Sequence, residues 1–182
     1  MSAPARRRPR LWWMVVWSFV FTLARPAHAA DAEVLHRPGE PEVVRVSAED
    51  AEMTNAIAEA RRSFAKFAER IDALRAAGAY YSVKVPLEVE SGVEHIWLGS
   101  PSVAGGFVSG PLDNVPLSDR YEPGQQVSIP VESISDWMAI VDGKLYGGHT
   151  VLVARARMSP AERAEFDERL EFELPAVATL FE

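Results

Sequence analysis

Asp136-Trp137-Met138-Ala139-Ile140-Val141-Asp142-Gly143-Lys144-Leu145-Tyr146-Gly147-Gly148-His149 is the stretch that decides the fold class. Two apolar runs flank Asp142-Gly143, a pair that tolerates the positive φ angles of a two-residue hairpin turn. The turn sets the register. Val141 faces Lys144, Ile140 faces Leu145, Ala139 faces Tyr146 and Met138 faces Gly147; Trp137 and Asp136 then fall opposite Gly148 and His149. Paired residues share a face of the sheet. Met138, Ile140, Leu145, Val151 and Val153 form a core face, with Asp136 and His149 at its rim. Trp137, Ala139 and Tyr146 form the other, with the Trp137 ring over Gly148. The alternation carries the last strand on through His149–Arg155.

Outward from the hairpin the same period of two recurs. Tyr81, Val83, Val85 and Leu87 alternate with Tyr80, Ser82, Lys84 and Pro86, a strand that ends near Pro86. Val93–Leu98, Phe107–Leu112 and Gln126–Val131 are further strands, with a loop at Gly99–Gly106. Upstream the period becomes helical. Met53, Ile57, Ala60, Phe64, Phe67, Ile71 and Leu74 make one apolar stripe on a helix of about seven turns. Ser47 is placed to cap it and Gly78 to stop it. Downstream, Ser159, Pro160 and Glu162 form a capping box with proline at the first helical position. Phe166, Leu170 and Leu174 mark that helix's buried side, and Pro175 ends it. The order predicts an α+β domain over 47–174: a long N-terminal helix, an antiparallel sheet or partly open barrel of about six strands, and a C-terminal helix.

The N-terminus reads as an address. Arg6, Arg7, Arg8 and Arg10 precede an uncharged stretch from Leu11 to Ala24. Arg25-Pro26 ends that stretch, and Ala27-His28-Ala29 follows. This is the pattern of a secretory signal peptide over 1–29, cleaved after Ala29. The apolar stretch is too short for a spanning anchor, so no stable membrane insertion is expected after cleavage. Pro38, Gly39 and Pro41 mark 30–46 as a flexible leader, and 175–182 forms a tail. The expected location is periplasmic or secreted.

The chain has 182 residues, 19 basic and 26 acidic, for a net charge of −7. Loss of Arg6, Arg7, Arg8, Arg10 and Arg25 leaves 14 basic against 26 acidic residues, a net of −12. That balance excludes general nucleic-acid binding. There is no cysteine, which excludes disulfides, thiolate metal sites and cysteine nucleophiles. No phosphate-loop or dinucleotide motif occurs. His36, His95 and His149 share no metal-ligand spacing, so neither metal nor cofactor is expected.

Two constellations remain. Asp136 and His149 form a carboxylate–imidazole pair across the hairpin. With Ser135 beside them they suggest a triad, although Ser135 and Asp136 point to opposite faces of a strand. His95 and Trp97 share one face of their strand, and Trp137 and Tyr146 share one face of the hairpin. Together these would make an aromatic platform if the faces coincide, and a buried core if a helix covers them.

Several segments then resemble a known family. They are Glu52-Met53-Thr54-Asn55-Ala56-Ile57, Val83-Lys84-Val85-Pro86, Val93-Glu94-His95-Ile96-Trp97, Ile134-Ser135-Asp136-Trp137-Met138, Gly143–Thr150 and Met158–Arg163. In this order they resemble domain of unknown function 2314, the YegJ-like bacterial proteins, over about residues 50–170. The resemblance brings no activity, cofactor or catalytic residue. The family pattern often has tyrosine where this chain has His149, which implies a packing role with a polar tip there. His95, Trp97, Asp136, Trp137 and Gly148 match as they stand. The expectation is an exported, non-enzymatic binding or envelope-accessory domain. Its partner would be a protein or small ligand of the envelope, met through His95, Trp97, Asp136, Trp137, Tyr146 and His149. The alternative is a small periplasmic hydrolase using Asp136 and His149.

Overall fold

The computed structural model describes residues 50–90 and 92–174, and the backbone of three short strands before them. These are β1 (Phe19–Thr22), β2 (Val34–Leu35) and β3 (Val43–Ser47). Apart from them, the expected signal 1–29, leader 30–46 and tail 175–182 lie outside the described residues.

Helix α1 (Ala51–Ala68) starts at Asp50, whose carboxylate accepts the N–H of Met53. The cap is therefore Asp50; Ser47 closes β3 instead. The single long helix of the sequence reading is also divided, because α2 (Ile71–Ala77) follows a tight join. There the N–H of Arg70 donates to the carbonyl of Phe67, three residues back rather than four. Neither glycine nor proline marks this break. The apolar stripe runs through it, with Met53, Ala60, Phe64, Phe67, Ile71 and Leu74 all buried. Gly78 stops α2 in the left-handed conformation, as its position predicts.

The principal sheet of the domain has four antiparallel strands: β4 (Tyr80–Val89), β5 (Gly92–Gly99), β9 (Asp136–Val141) and β10 (Lys144–Gly147). Their order is β10-β9-β4-β5, and β1, β3 and β2 continue it beyond β5. The hairpin register is the one read from sequence, with Leu145 opposite Ile140, Tyr146 opposite Ala139 and Gly147 opposite Met138. Strand β4 does not stop at Pro86 but runs on to Val89. Geometry explains why proline is tolerated there. The carbonyl of Lys84 accepts the N–H of Ser135, so β4 residues of this parity point toward β9. Pro86 lies two residues on, past the end of β9, where no N–H is needed.

A second sheet of three antiparallel strands joins β6 (Ser102–Ala104), β7 (Phe107–Pro111) and β8 (Gln126–Pro130). The expected loop at 99–106 thus contains a strand. Two sheets, the four antiparallel strands continued by β1, β3 and β2 and a separate set of three, replace the single sheet or partly open barrel of about six, and no closed barrel forms among the described residues.

Past Gly148 the expected strand is a helix, α3 (His149–Arg157). Gly147 and Gly148 have φ of +68° and +67°, and these left-handed residues turn the chain out of the sheet. Helix α4 (Pro160–Glu168) carries the predicted capping box at Ser159 and Glu162. It ends earlier than predicted. Glu173 then lies beside β10, accepting the N–H of Leu145.

Each face of the principal sheet has its own core. On one, Val83, Val85, Ile96, Leu98, Trp137 and Ala139 meet α1 and α2. On the other, Trp97, Met138 and Leu145 meet Val151, Phe172 and Leu174. Asp113 and Asn114 cover the outer edge of β5 at Trp97. Asp113 donates its N–H to the Trp97 carbonyl, and the Asn114 side chain accepts the Trp97 N–H at 3.0 Å.

Candidate functional site

Alternation along β4, β5 and β9 brings Lys84, His95, Trp97 and Asp136 to the face that α3 approaches. Lys84 and Asp136 sit directly opposite one another, and both are fully buried. Charged groups remain inside a protein only where partners replace water. Asp136 has four. Its carboxylate accepts the N–H of Trp137 at 2.9 Å, of His149 at 3.1 Å and of Thr150 at 2.8 Å, and the Thr150 hydroxyl at 2.6 Å. A carboxylate at the first N–H groups of a helix also meets the positive end of its dipole. Asp136 therefore does for α3 what a capping side chain does locally, from a different strand. Gly148, the residue at the cap position, has no side chain to do it.

The Lys84 ammonium donates to Thr150 Oγ1 at 3.2 Å and lies 4.9 Å from the centre of the Trp97 ring. Burial pushes it down to about 7, against the opposing pull of the Asp136 carboxylate. Nearby, the Ser135 hydroxyl is hydrogen-bonded to His95 Nδ1. Burial, with the positive charges of Lys84 and Arg61, pushes His95 down to about 3, so its imidazole is neutral at neutral pH. Arg61 reaches this corner from α1, donating to the carbonyl of Ile134 at 2.8 Å.

Three sequence expectations need correction. Asp136 and His149 are close, but the carboxylate meets the main-chain N–H of His149 rather than its ring, because His149 opens a helix. The histidine that pairs with Ser135 is His95. The aromatic faces do not coincide either. Trp97 belongs to the α3 side of the sheet and Trp137 to the α1 side, and both are buried. The Trp137 indole stacks on Phe67 at 4.8 Å and donates to the Ala60 carbonyl at 3.1 Å and the Ser63 hydroxyl at 3.0 Å. Its ring lies against Gly147, not Gly148; a Cβ at Gly147 would stand 2.7 Å from the indole. Tyr146 and His149 are half-buried. The His149 ring meets the Trp137 ring edge-on at 5.9 Å, and its Nε2 is buried without a hydrogen-bond partner.

Lys84 and Thr150 were not evident from sequence as site residues. Lys84 alternates with Ser82 like any solvated face, and Thr150 follows what reads as a strand. No group of metal-ligating side chains occurs among the described residues. A serine hydrogen-bonded to a neutral histidine has the composition of an activated nucleophile. Here the serine is 1% exposed and Asp136 is directed elsewhere.

The segments that meet at this cluster are those singled out in the sequence: Val83–Pro86, Val93–Trp97, Ile134–Met138 and Gly143–Thr150. A family model described as an uncharacterized protein conserved in bacteria, DUF2314, matches residues 50–174. The chain belongs to the DUF2314 family. Among relatives of this DUF2314 protein, the uncharacterized protein YegJ of Escherichia coli strain K12 is 35% identical over 100 residues. That match covers 54% of this chain and 64% of YegJ. A protein of Neisseria meningitidis serogroup B named for ankyrin repeats is 39% identical over 90 residues, covering 47% of this chain and 36% of that protein. The chain thus spans just under two thirds of one relative and about a third of the other. No solved structure matches the DUF2314 chain.

Proposed function

We propose that this DUF2314 protein is an exported, non-enzymatic binding domain of the bacterial envelope, contacting its partner at the corner formed by Tyr146 and His149. The observation that carries this reading is the partial exposure of Tyr146 and His149, where the other candidate residues are buried. His149 Nε2 is itself enclosed without a hydrogen bond, so an apolar ring of similar shape at this position gives up no polar contact. The other four of the six candidate residues are no more than 7% exposed. His95, Trp97, Asp136 and Trp137 act behind Tyr146 and His149 by holding β9, β10 and α3 in place. The internal use of Asp136 and the enclosure of Ser135 favour binding over hydrolysis. The relative named for ankyrin repeats supports an accessory role, since the matched domain is only a part of that longer protein.

Export rests on the charged, apolar and small-residue pattern of 1–29. Cleavage after Ala29 removes β1, and the sheet of the mature domain then ends near β5. The location test is N-terminal sequencing of the protein from fractionated cells, with Ala30 as the expected first residue. An intact N-terminus in the cytosolic fraction rejects export. The binding test places a photo-crosslinking residue at position 146 in the full chain. A discrete envelope adduct is expected, lost in His149→Phe while the melting temperature holds or rises. Ester hydrolysis that disappears in Ser135→Ala would instead establish a hydrolase.

A further inference from the structure

We infer that docking of the N-terminus of α3 on the sheet is coupled to the protonation of Lys84, so that opening this joint takes up a proton. The geometry is a relay of three residues from three elements. Lys84 on β4 donates to Thr150 on α3, and Thr150 donates to Asp136 on β9. Asp136 in turn holds the first N–H groups of α3. Thr150 is therefore both the roof over the Lys84 ammonium and the first turn of the helix. Separation of α3 from β9 breaks the Asp136 contacts and admits water to Lys84 in one event.

The groups facing Lys84 set the sign. From β9 comes the Asp136 carboxylate, and from α3 the Thr150 hydroxyl. From β5 come the Trp97 ring and the neutral His95 imidazole, with Arg61 of α1 behind it. Glu94, also on β5, is directed to the N–H of Leu117 at 3.0 Å. Phe172 and Leu174 add only apolar surface to this side. Enclosure holds Lys84 at about 7, whereas a lysine in water titrates near 10.4. Between these values the open joint binds a proton that the closed joint does not. The closed form accordingly gains as pH rises, by up to about tenfold per pH unit for one proton. Below about 7 the gain levels off, since both forms are then protonated.

Amide hydrogen exchange of the full chain tests this between pH 6 and 9, after correction for intrinsic exchange. Protection of residues 150–155 should be flat below pH 7 and then rise up to about tenfold per unit relative to β5 amides around Ile96. In Lys84→Met the rise should vanish. An equal rise in Lys84→Met, or one shared by β5, overturns the proposal. The chain has only three lysines, Lys66, Lys84 and Lys144, which allows a second measurement on the unaltered protein if the variant does not fold. Selective NMR labelling of lysine should show one side chain titrating near neutrality beside two ordinary ones. Three ordinary titrations overturn it.

Discussion

Asp136 concentrates the fold's polar bonding in one side chain. Replacement by alanine leaves three main-chain N–H groups and the Thr150 hydroxyl without their acceptor. It also removes the carboxylate facing Lys84. The expected loss is about 3–5 kcal/mol in urea unfolding, the range for breaking a buried charged contact. Gly147 is constrained by space. A Cβ there would lie 2.2 Å from the Trp137 carbonyl oxygen, and φ is +68°. Gly147→Ala should destabilise by more than about 2 kcal/mol, read as a fall in melting temperature. At this scale the sequence pointed to the right residue with the wrong partner. Register arithmetic brought Asp136 to His149 correctly, but could not show that the contact is made by main-chain N–H groups rather than the ring. Lys84 was hidden for a physical reason: a lysine alternating with serine looks solvated until a helix arrives from 66 residues away.

Helix α3 is where local preference and tertiary context part. Thr150, Val151 and Val153 are β-branched and favour strands, and the reading of His149–Arg155 as strand followed that preference. Two left-handed glycines and the Asp136 carboxylate override it. Position explains what was legible elsewhere: the α4 capping box is local, whereas the cap of α3 comes from 14 residues upstream. Packing among elements also predicts an acid response. His95 is held at about 3 when folded and titrates near 6.5 when unfolded. Between those values the unfolded chain binds the extra proton. Stability should therefore fall as pH drops from 6.5 toward 3, beginning above the range in which the carboxylates respond. Urea midpoints at pH 7, 5.5 and 4.5 check this, and His95→Gln should flatten the upper part of the profile. Asp50 joins two elements, capping α1 and pairing with Arg157 at the end of α3. Arg157 also bonds Glu52 at 2.8 Å. Asp50→Ala should lose about 1–2 kcal/mol through the cap, with a smaller share from the partly exposed ion pair.

Across the whole molecule, the α+β class and the hairpin register were legible because a two-residue turn leaves little freedom. The division into two sheets was not, because pairing between distant strands leaves no periodic trace in a single sequence. Tryptophan offers a check at this scale. Trp12, Trp13 and Trp17 precede Ala29, while Trp97 and Trp137 are buried on opposite faces of the sheet. A chain beginning at Ala30 should emit at short wavelength and resist quenching by iodide, and unfolding should remove both properties together.

The contact between Asp50 and Arg157 joins positions 107 residues apart. A ribosome delivers the N-terminal partner first, at about 5–20 residues per second. Helix α1 then waits several seconds for Arg157, and β4 waits through some 50 residues for β9, which fills its second side. The domain is thus open throughout its own synthesis and closes only when its last third has emerged. That order of assembly leaves the long-range contacts of the domain to the end of synthesis.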